Sequence, residues 1–373
     1  MAANPDGTSN LNDAAVASPV GEDSDAQQSV VAVAPLRVDL TGGFTDISPY
    51  SSSVDSLHIN AAVDLSVTVL CRKRQDRQLR VGFKRDRSQP SNRTSDGRRR
   101  FLEAVRAGVA EFMQECGLDI SIWSEAPAGS GLGSSGSILV AAIAGCAKLT
   151  GHSLTPAAVA KKAIAAAATA CIVGGQQDEY AAAHGSLRAY RFDRGGTPQI
   201  QDLASTDACR YLEETLLVVQ MSAGGRRSDV VADVVRAVRS GDQETLRALL
   251  RLQELAHELL QVMTGTRFEE FPQYLTRIRE TQCALHPRMC CPIAMGAIEA
   301  ARQEIPDLEY KILGGGGPGS CVLICVPASY RAVAASFLGE HAKKVWAIKI
   351  RPSGVHAEPA AVGEKWRSSL IGN

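Results

Sequence analysis

The segment Pro127 to Ser137 reads PAGSGLGSSGS and lies between a short apolar stretch, Asp119 to Trp123, and a longer apolar run, Ser137 to Leu149. Its glycines let successive backbone N–H groups approach an anion, its serines add hydroxyl donors, and a following helix would present its positive N-terminus to the same point. A flexible linker is the alternative, but a linker would not lead directly into an apolar helix that must be buried. The segment therefore predicts a strand, a triphosphate-binding loop and a buried helix, in that order.

Two familiar phosphate-binding patterns do not describe this loop. The GxxxxGK[ST] pattern fails because no lysine follows the glycines. The dinucleotide pattern GxGxxG fails because its downstream context is missing. The loop is therefore neither a Walker loop nor a dinucleotide-binding loop.

Composition points to a packed protein with a small-molecule partner. The chain has 373 residues, of which 45% are hydrophobic and 21% charged, and its 40 Lys and Arg balance 40 Asp and Glu. That length suits two lobes or one large α/β domain. The balanced charge gives no global attraction to nucleic acid or to an acidic membrane surface. The apolar runs are too short, or too interrupted by lysine, to span a bilayer, so we expect a protein without membrane contact; a homodimer is left open.

The first thirty residues are polar and acidic, and they lack the basic and apolar regions of a secretory signal. We interpret residues 1–30 as a disordered tail of a cytoplasmic protein. The ten cysteines show no paired CxxC spacing, and the adjacent Cys290 and Cys291 lack partners at the spacing of metal ligands. Several cysteines lie in apolar patterns, where a thiol acts as a small core residue: Cys71, Cys146, Cys321 and Cys325. Free buried thiols fit a reducing compartment.

Hydrophobic periodicity divides the chain into strands and helices without a regular alternation. Alternating apolar residues predict strands over Val31 to Leu40 and Ala61 to Arg72, and helical spacing predicts a helix over Phe101 to Cys116. Further helices are predicted at Pro156 to Val173, Ser228 to Met263, Pro292 to Glu304 and Ser329 to His341, and further strands at Ser186 to Phe192, Thr215 to Met221, Tyr310 to Leu313, Ser320 to Val326 and Val345 to Arg351. This irregular mixture favours an α+β fold over a doubly wound sheet.

Three glycine-containing segments resemble the motifs of the GHMP small-molecule kinases, the family of galactokinase, homoserine kinase, mevalonate kinase and phosphomevalonate kinase. PLRVDLTGGFTD (Pro35 to Asp46) resembles the first motif, PAGSGLGSSGS the second, and KILGGGGPGSCVL (Lys311 to Leu323) the third. They stand in the family's order and cover nearly all of the chain beyond the tail. The resemblance implies the GHMP kinase fold, with an N-terminal ribosomal-protein-S5-like, ATP-binding lobe over residues 31–200 and a C-terminal ferredoxin-like lobe over residues 201–373.

Two segments narrow this resemblance to one branch. GGFTD and GGQQDEYAAAHGSLRAYRF (Gly174 to Phe192) look most like D-glycero-D-manno-heptose 7-phosphate kinase and the related fucokinase-type sugar 1-kinases. The likeness implies a kinase that uses ATP and Mg²⁺ and acts on a sugar or sugar phosphate. The implied acceptor is the anomeric hydroxyl of a heptose- or octose-type sugar phosphate, phosphorylated by direct in-line transfer without a phosphoenzyme.

The resemblance also implies catalytic roles for two residues. Asp178 matches the aspartate that acts as base in galactokinase-like members, whereas without the family it would be interpreted as a helix N-cap. Arg37 lies in an otherwise apolar strand and resembles the arginine that polarises the acceptor hydroxyl; a salt bridge to Asp39 or Asp46 is the alternative. Asp46 itself would accept hydrogen bonds from sugar hydroxyls, or else cap a turn.

The remaining implied contacts divide between nucleotide and acceptor. ATP would be bound by Gly129, Ser130, Gly131, Leu132, Gly133, Ser134 and Ser135, and Ser135 would also bind Mg²⁺. The acceptor would contact Gly43, Thr45, Asp46, Gly175, Gly315 and Gly316. A distal phosphate on the acceptor needs a cationic clamp, for which Arg226 and Arg227 are the candidates.

One departure from the family pattern bears on metal binding. A glutamate about three helical turns before the catalytic aspartate usually helps these kinases to bind Mg²⁺. The matching stretch here, KAIAAAAT (Lys162 to Thr169), contains no carboxylate, and Ala166 is the nearest equivalent. Because Mg²⁺ can be held by one or two protein oxygens, Ser135 and Asp178 could suffice. The alternative is a catalytically impaired ligand-binding or regulatory protein; GGFTD and GGQQDEY argue against a third reading, an enzyme like the diphosphomevalonate decarboxylases.

Overall fold

The computed structural model describes residues 29–83, 95–114, 116–194, 196–221, 230–290, 292–316 and 319–360. Within these ranges the chain forms two separate β-sheets flanked by helices. Strands and helices follow one another without a regular βαβ alternation. The predicted α+β fold class is therefore confirmed.

The first sheet has seven strands in the described part of the chain, and the long strand β2 is its centre. The second half of β2 pairs with β4, while its first half pairs with β5. Every pairing in this sheet is antiparallel except that of β3 with β4. The strands are β1 (Ser29–Thr41), β2 (Ser56–Arg74), β3 (Leu79–Phe83), β4 (Gly117–Ser124), β5 (Leu187–Phe192), β6 (Gln199–Asp202) and β11 (His356–Pro359).

The second sheet is antiparallel and brings the third glycine motif to the first two. Its four described strands lie in the order β10 (Lys344–Trp346), β7 (Leu216–Gln220), β9 (Cys321–Cys325) and β8 (Glu309–Ile312). Every residue of β7 and β9 is buried. The third glycine motif connects β8 to β9, so this sheet fixes both of its ends.

Ten helices are described, and they are placed against the two sheets. Helix α2 packs on β1 and β2 and also contacts α1, α3 and α4, which explains why it is apolar on all sides. Helix α3 begins as predicted, with the Thr155 side chain accepting a hydrogen bond from the N–H of Ala158. The helices are α1 (Ser95–Val109), α2 (Ser134–Leu149), α3 (Pro156–Thr169), α4 (Gln177–His184), α5 (Thr206–Thr215), α6 (Val230–Ser240), α7 (Gln243–Thr264), α8 (Phe271–Leu285), α9 (Pro292–Glu304) and α10 (Arg331–His341).

Strand β1 carries two charged side chains out of an apolar sequence. Leu36, Val38 and Leu40 have 0% exposure and fill the core. Since side chains alternate along a strand, Arg37 and Asp39 point to the opposite face. The β1–β2 register is irregular on both sides of this segment, so the strand is locally bent where the two charges emerge.

The structure differs from the predicted elements in three ways. The predicted helix Ser228 to Met263 is two helices, because Gly241 adopts a φ of +73° and Asp242 caps α7; residues 228 and 229 lie outside the described ranges. Helices α4, α5 and α8 and strands β6 and β11 were not predicted. The predicted strand Val345 to Arg351 is reduced to β10 and one isolated bridge between Ile350 and Val63.

The strands do not follow the predicted division of the chain. Strand β1 begins at Ser29, within the predicted tail, and the rest of that tail lies outside the described residues. The predicted boundary between residues 200 and 201 falls inside β6, and β11 returns from the far end of the chain to pair with β1. The first sheet therefore draws strands from both predicted segments.

The cysteines agree with the prediction except at one pair. Cys71, Cys146, Cys321 and Cys325 are buried free thiols, as expected. Cys290 forms a disulfide with Cys283, which the prediction of free cysteines missed because the two are separated by a turn rather than by a recognisable motif. No described helix combines the length and apolar character needed to cross a membrane.

Candidate active site

The three glycine motifs meet at one open cleft with a cavity volume of about 210 Å³. Its lining comes from residues 37–47, 128–135, 173–178 and 314–320, with Val231 and Gln282 added from α6 and α8. The lining thus combines the end of β1, the loop that leads into α2 and the segment that leads into α4 with the loop that joins β8 to β9. Most of the residues predicted to bind ligands lie in these four stretches.

The second and third motifs touch each other through glycine. Gly131 and Gly314 both have positive φ angles, +81° and +64°. A Cβ atom on Gly131 would lie 2.3 Å from the carbonyl oxygen of Leu313, and one on Gly314 would lie 2.5 Å from the Gly131 Cα atom. Neither position has room for a side chain. The third glycine run therefore packs directly against the glycine loop of the second motif.

Helix α2 begins at the cleft. Its N-cap residue, Gly133, has a φ of +74° and provides no side-chain cap. The first two helical residues, Ser134 and Ser135, both line the cleft, as do Gly129 and Gly131. Glycine-rich backbone leading to a helix N-terminus without a side-chain cap is suited to phosphate groups. Five of the seven residues predicted to contact the nucleotide therefore line one wall.

The other two predicted nucleotide residues, Ser130 and Leu132, do not line the cleft. Both have 0% exposure. The backbone oxygen of Ser130 accepts a hydrogen bond from the N–H of Cys321 (2.7 Å), and that of Leu132 accepts one from the N–H of Arg37 (3.1 Å). Their side chains point into the interior, and their backbone oxygens join the loop to the other two motifs. That placement corrects the prediction for both.

Arg37 and Asp178 form a partly buried ion pair at the cleft. The Arg37 Nε and Nη2 atoms donate to Asp178 Oδ1 at 2.9 and 2.5 Å, and Nη1 donates to the backbone oxygen of Gly131 at 2.5 Å. The Arg37 side chain is 6% exposed and that of Asp178 30%. Arg37 therefore pairs with neither Asp39 nor Asp46, the partners considered from the sequence. It joins the candidate base to the phosphate loop.

Asp178 is the second residue of α4, close to the helix N-terminus. Burial raises the pKa of its carboxyl group; Arg37 opposes this shift, and the carboxylates of Asp46 and Asp39 add to it. A carboxylate with a raised pKa accepts a proton more readily than a solvated one. The N-cap of α4 is Gln176, so the interpretation of Asp178 as an N-cap is wrong.

Asp46, which is distant in sequence, caps the N-terminus of α4, where the N-cap residue Gln176 makes no side-chain cap. Its Oδ2 atom accepts hydrogen bonds from the backbone N–H groups of Gln176 (2.7 Å) and Gln177 (3.0 Å). A Cβ atom on Gly175 would lie 2.0 Å from this same oxygen, which explains the glycine. Asp46 thus ties the first motif to the helix that carries Asp178. Its Oδ1 atom is buried and has no hydrogen-bond partner among the described residues.

Sequence reasoning missed a buried ion pair beside this site. Lys311, at the end of β8, has 0% exposure, and its Nζ atom donates to the backbone oxygen of Asp39 at 2.7 Å. The same Nζ lies 3.3 Å from Asp39 Oδ2. Burial lowers the pKa of Lys311, and the charge of Asp39 opposes that shift. The only sequence signal was an aspartate and a lysine in two otherwise apolar strands.

A second missed group is Glu179, which follows Asp178 on α4. A Cβ atom on Gly136 would lie 3.2 Å from the Glu179 Oε1 atom, so this carboxyl group packs against the first turn of α2. It is 6% exposed, and its Oε2 atom has no described hydrogen-bond partner. Burial, followed by the charge of Asp178, raises its pKa well above the usual value. Glu179 is not among the cleft-lining residues.

Two glutamines, Gln177 and Gln282, also line the cleft and were not predicted from the sequence. Gln282 on α8 donates through Nε2 to the backbone oxygen of Ile312 (3.0 Å) and accepts from its N–H (3.3 Å). It therefore fixes the end of β8 next to the third motif. Gln177 lines the cleft beside Asp178, and its Oε1 atom is buried without a described partner.

Thr45 is placed differently from its prediction as an acceptor contact. Its Oγ1 atom donates to the backbone oxygen of Gly42 and accepts from Nε2 of Gln253, each at 2.7 Å. The side chain has 0% exposure and does not line the cleft. Its hydroxyl makes hydrogen bonds within the protein and stabilises the turn of the first motif. The other five predicted contacts, Gly43, Asp46, Gly175, Gly315 and Gly316, do line the cleft.

Ala166 does not occupy a metal-binding position. It is buried, and its Cβ would lie 3.3 Å from a Cβ atom placed on Gly108. Ala166 therefore packs between helices α3 and α1, and it does not line the cleft. A carboxylate there would face the helix interface, so its absence says nothing about the cleft. The candidate clamp residues Arg226 and Arg227 lie outside the described ranges.

The described residues suit a Mg²⁺ ion that arrives with a nucleotide better than a preformed metal cage. In the part of the chain that the structure covers, no group of three or more His, Cys, Asp or Glu side chains is arranged so that it could hold a metal ion. The cleft does offer the Ser135 hydroxyl and the Asp178 carboxylate. Mg²⁺ commonly takes one or two protein oxygens and completes its shell with water and phosphate.

Comparison with known proteins supports the same family. A family model described as the GHMP kinases N terminal domain matches residues 99–186, which include the phosphate loop and end after α4. Over 328 residues the chain is 22% identical to the bifunctional fucokinase/GDP-fucose pyrophosphorylase of Arabidopsis thaliana, covering 83% of this chain. It spans 31% of the length of that relative. Over 249 residues it is 24% identical to the D-glycero-alpha-D-manno-heptose 7-phosphate kinase of Campylobacter jejuni, covering 65% of this chain and 73% of that one.

The fold agrees with solved structures of the same family. A D-glycero-D-manno-heptose 1-phosphate kinase from Bacteriodes thetaiotaomicron superposes with a TM-score of 0.68 at 19% identity, covering 88% of this chain and 98% of that one. The relatives include heptose phosphate kinases and a fucokinase, the branch that the GGFTD and GGQQDEY segments indicated. Residues 99–186 match the GHMP kinases N terminal domain, and the chain shares its fold with the solved heptose phosphate kinase.

Proposed function

We propose that this chain is an ATP-dependent sugar kinase that transfers the γ-phosphoryl group to the anomeric hydroxyl of a sugar or sugar phosphate by direct in-line transfer. The observation that carries the proposal is the convergence of the three motifs on one cleft, with the Arg37–Asp178 pair at the phosphate loop. The names of the relatives, a fucokinase and a heptose phosphate kinase, support a sugar as acceptor.

Asp178 is suited to take the proton of the acceptor hydroxyl. Its raised pKa favours proton acceptance, and its position in the first turn of α4 is fixed by the hydrogen bonds from Gln176 and Gln177 to Asp46. Such a base contributes about 10²- to 10⁴-fold to a rate. Arg37 orients this carboxylate and places a positive charge between it and the phosphate loop. That charge would stabilise a phosphoryl group in transit.

The phosphate wall supplies binding rather than proton transfer. Backbone of residues 129–135 and the start of α2 would hold the nucleotide phosphates, and residues 314–316 would close against them. Mg²⁺ would be held by the Ser135 hydroxyl with help from Asp178, and it would neutralise phosphate charge. The role of these residues is to align the nucleotide with the acceptor hydroxyl.

A heptose- or octose-type sugar phosphate remains our preferred acceptor on the strength of the family branch. The described cleft lining contains one basic side chain, Arg37, which is already paired with Asp178. A distal phosphate therefore needs cations from elsewhere, and Arg226 and Arg227 are the candidates. Replacing both with alanine should weaken binding of a heptose phosphate by about 10-fold or more, because charged hydrogen bonds to its phosphate are lost. Binding of the free heptose should be unaffected.

The competing candidate is a binding or regulatory protein of the same fold. Its support from the sequence was the absence of a glutamate near Ala166. Because Ala166 lies at a helix interface away from the cleft, that absence no longer favours it. The Arg37–Asp178 pair instead supports an intact catalytic arrangement.

The experiment measures ATP consumption with Mg²⁺ across fucose, galactose, free heptoses and heptose and octose phosphates, and locates the product phosphate by phosphorus NMR. The proposal expects a phosphate on the anomeric oxygen of at least one sugar. Asp178→Asn should abolish this transfer, whereas Asp64→Asn, the same change at an exposed carboxylate outside the cleft, should not. ATP binding without transfer to any sugar of the panel would favour the binding protein.

A further inference from the structure

The carboxylate of Asp39 has an unusual environment within the cleft. Its Oδ2 atom is paired with Lys311, while its Oδ1 atom is buried and has no hydrogen-bond partner among the described residues. Asp39 is nevertheless one of the residues that line the cleft. A buried carboxylate oxygen without a donor is unfavourable, so such an atom in a native structure calls for a partner.

The ion pair with Lys311 does not account for this arrangement. The strongest contact of Lys311 is with the backbone oxygen of Asp39 at 2.7 Å, and the side-chain oxygen is farther away at 3.3 Å. Buried ion pairs are often no more stabilising than apolar residues of similar size. Lys311 therefore explains how the Asp39 side chain is oriented, but not why a carboxylate is present.

The turn of the first motif packs against this carboxylate. A Cβ atom on Gly43 would lie 2.7 Å from Asp39 Oδ2, so only glycine allows the chain to pass there. Gly43 also lines the cleft. The paired oxygen thus lies beneath the glycine turn, and the second oxygen of the same group is the one left without a partner.

The charges around Asp39 define what it can bind. The described lining contains three carboxylates, Asp39, Asp46 and Asp178, and one basic side chain, Arg37. Arg37 is committed to Asp178 and Gly131. An anionic group at this wall would meet carboxylates without a free cation among the described residues, whereas a hydroxyl or ammonium group would donate to them.

Two further oxygens at the cleft are buried without a described hydrogen-bond partner, as Asp39 Oδ1 is. Asp46 Oδ1 and Gln177 Oε1 are also buried on cleft-lining residues and have no described partner. All three atoms accept hydrogen bonds. A ligand that satisfies them must be rich in donors, as the hydroxyl groups of a sugar are.

We propose that Asp39, oriented by Lys311, is an acceptor-binding residue that takes a hydrogen bond from a sugar hydroxyl and selects an uncharged, donor-rich portion of the substrate. This inference rests on the proposed sugar kinase function. It adds a recognition residue that none of the predicted contacts included, and it places any distal phosphate of the acceptor away from this wall. Lys311 acts as a positioning residue.

Asp39→Asn is the most informative single substitution. The asparagine oxygen would remain toward Lys311, because the ammonium group repels an amide NH₂, and the NH₂ group would then replace the unpaired oxygen. A hydrogen-bond acceptor becomes a donor with little change in shape. We expect affinity for the sugar to fall about 10- to 100-fold, with unchanged ATP affinity. The melting temperature should also fall, because the buried Lys311 loses its counter-charge.

A double variant guards against misfolding. Asp39→Ala with Lys311→Met removes both charges together and leaves no uncompensated buried ion. It should fold, bind ATP and lose sugar affinity like Asp39→Asn. Asp64→Asn again provides the same chemical change outside the cleft and should match the wild type.

The test is calorimetric titration of the wild type and these variants with ATP, L-fucose, D-galactose, D-glycero-D-manno-heptose and its 7-phosphate, so binding is measured without turnover. A selective loss of sugar affinity in both Asp39 variants supports the inference. Equal sugar affinity in wild type and Asp39→Asn overturns it and leaves the kinase proposal standing. Binding of ATP but of none of these sugars by the wild type overturns the kinase proposal and this inference with it.

Discussion

The two walls of the cleft are built on different principles. The glycine wall, residues 129–135 and 314–316, uses backbone and close glycine contacts, and its first part lies within one short segment of sequence. The carboxylate wall, formed by Arg37, Asp39, Asp46 and Asp178, uses side chains joined across 130, 141 and 272 residues. Under the proposed function, the main phosphate-binding segment is therefore encoded locally, whereas recognition and proton transfer would depend on the tertiary fold.

The largest effect should come from closing the contact between the second and third motifs. Gly131→Ala places a Cβ atom 2.3 Å from a backbone oxygen, and backbone cannot move aside cheaply. We expect this variant to lose ATP binding by more than 100-fold, on the order of several kcal/mol, or to fold poorly. Thermal unfolding and ATP titration measure both outcomes.

Gly129→Ala is the matched control for this substitution. Gly129 has a similar φ, +83°, but a Cβ atom there would meet nothing within 4 Å. Its cost should be limited to the strain of a left-handed residue, about 1–2 kcal/mol. Equal losses in the two variants would show that backbone strain, and not the contact between motifs, explains the glycines.

A smaller and more selective effect is expected at Gly175. Alanine at this position would place its Cβ 2.0 Å from Asp46 Oδ2 and displace the start of α4, which carries Asp178. A misplacement of about 1 Å can reduce a catalytic rate about 10²-fold. The phosphate wall should be unaffected, so ATP affinity should stay near its wild-type value in a direct titration.

Gly174→Ala tests whether this effect comes from the carboxylate. A Cβ atom on Gly174 would meet nothing within 4 Å. Its effect on the rate should be clearly weaker than that of Gly175→Ala. The comparison between walls fails if Gly175→Ala weakens ATP binding as much as it slows transfer.

The smallest effect should be a pH-dependent gain in stability from Glu179→Gln. The pKa of Glu179 is raised by burial and by Asp178, so the folded protein holds a proton that the unfolded chain releases above its ordinary pKa. Stability from this group is complete at acidic pH and falls as pH rises toward the folded-state pKa. Glutamine mimics the protonated form and avoids that loss.

The expected result is a higher melting temperature for Glu179→Gln by a few degrees at pH 8, with the difference shrinking as the pH approaches 4. Thermal unfolding across this pH range provides the measurement. A variant that is less stable than wild type at pH 8 would mean that the ionised carboxylate has a favourable partner in the protein.

The contrast between the walls also explains what could be predicted from the sequence. The glycines and serines of residues 129–135 and the apolar run that follows them were enough to predict the loop and the buried helix α2. The three-motif resemblance then predicted that Arg37 and Asp178 would share a site. Their direct pairing was not predicted, because no local pattern relates residues 141 positions apart.

The errors have the same origin. Asp46 lines the cleft, where it was expected to contact the acceptor, but its capping of α4 was missed. Periodicity did not reveal this helix, since it has only eight residues and apolar residues around it. Ala166 was compared with a metal ligand by counting along the chain, and counting could not show that it faces α1. The Asp39–Lys311 pair joins two strands of different sheets.

The most direct test of this division of labour is to measure ATP affinity and the single-turnover rate of phosphoryl transfer in the same preparations of wild type and Asp178→Asn. For Asp178→Asn we predict an ATP dissociation constant within about twofold of the wild-type value and a transfer rate about 10²- to 10⁴-fold below that of the wild type. A variant that loses ATP affinity and rate in the same proportion, or that transfers phosphate at the wild-type rate, would contradict it.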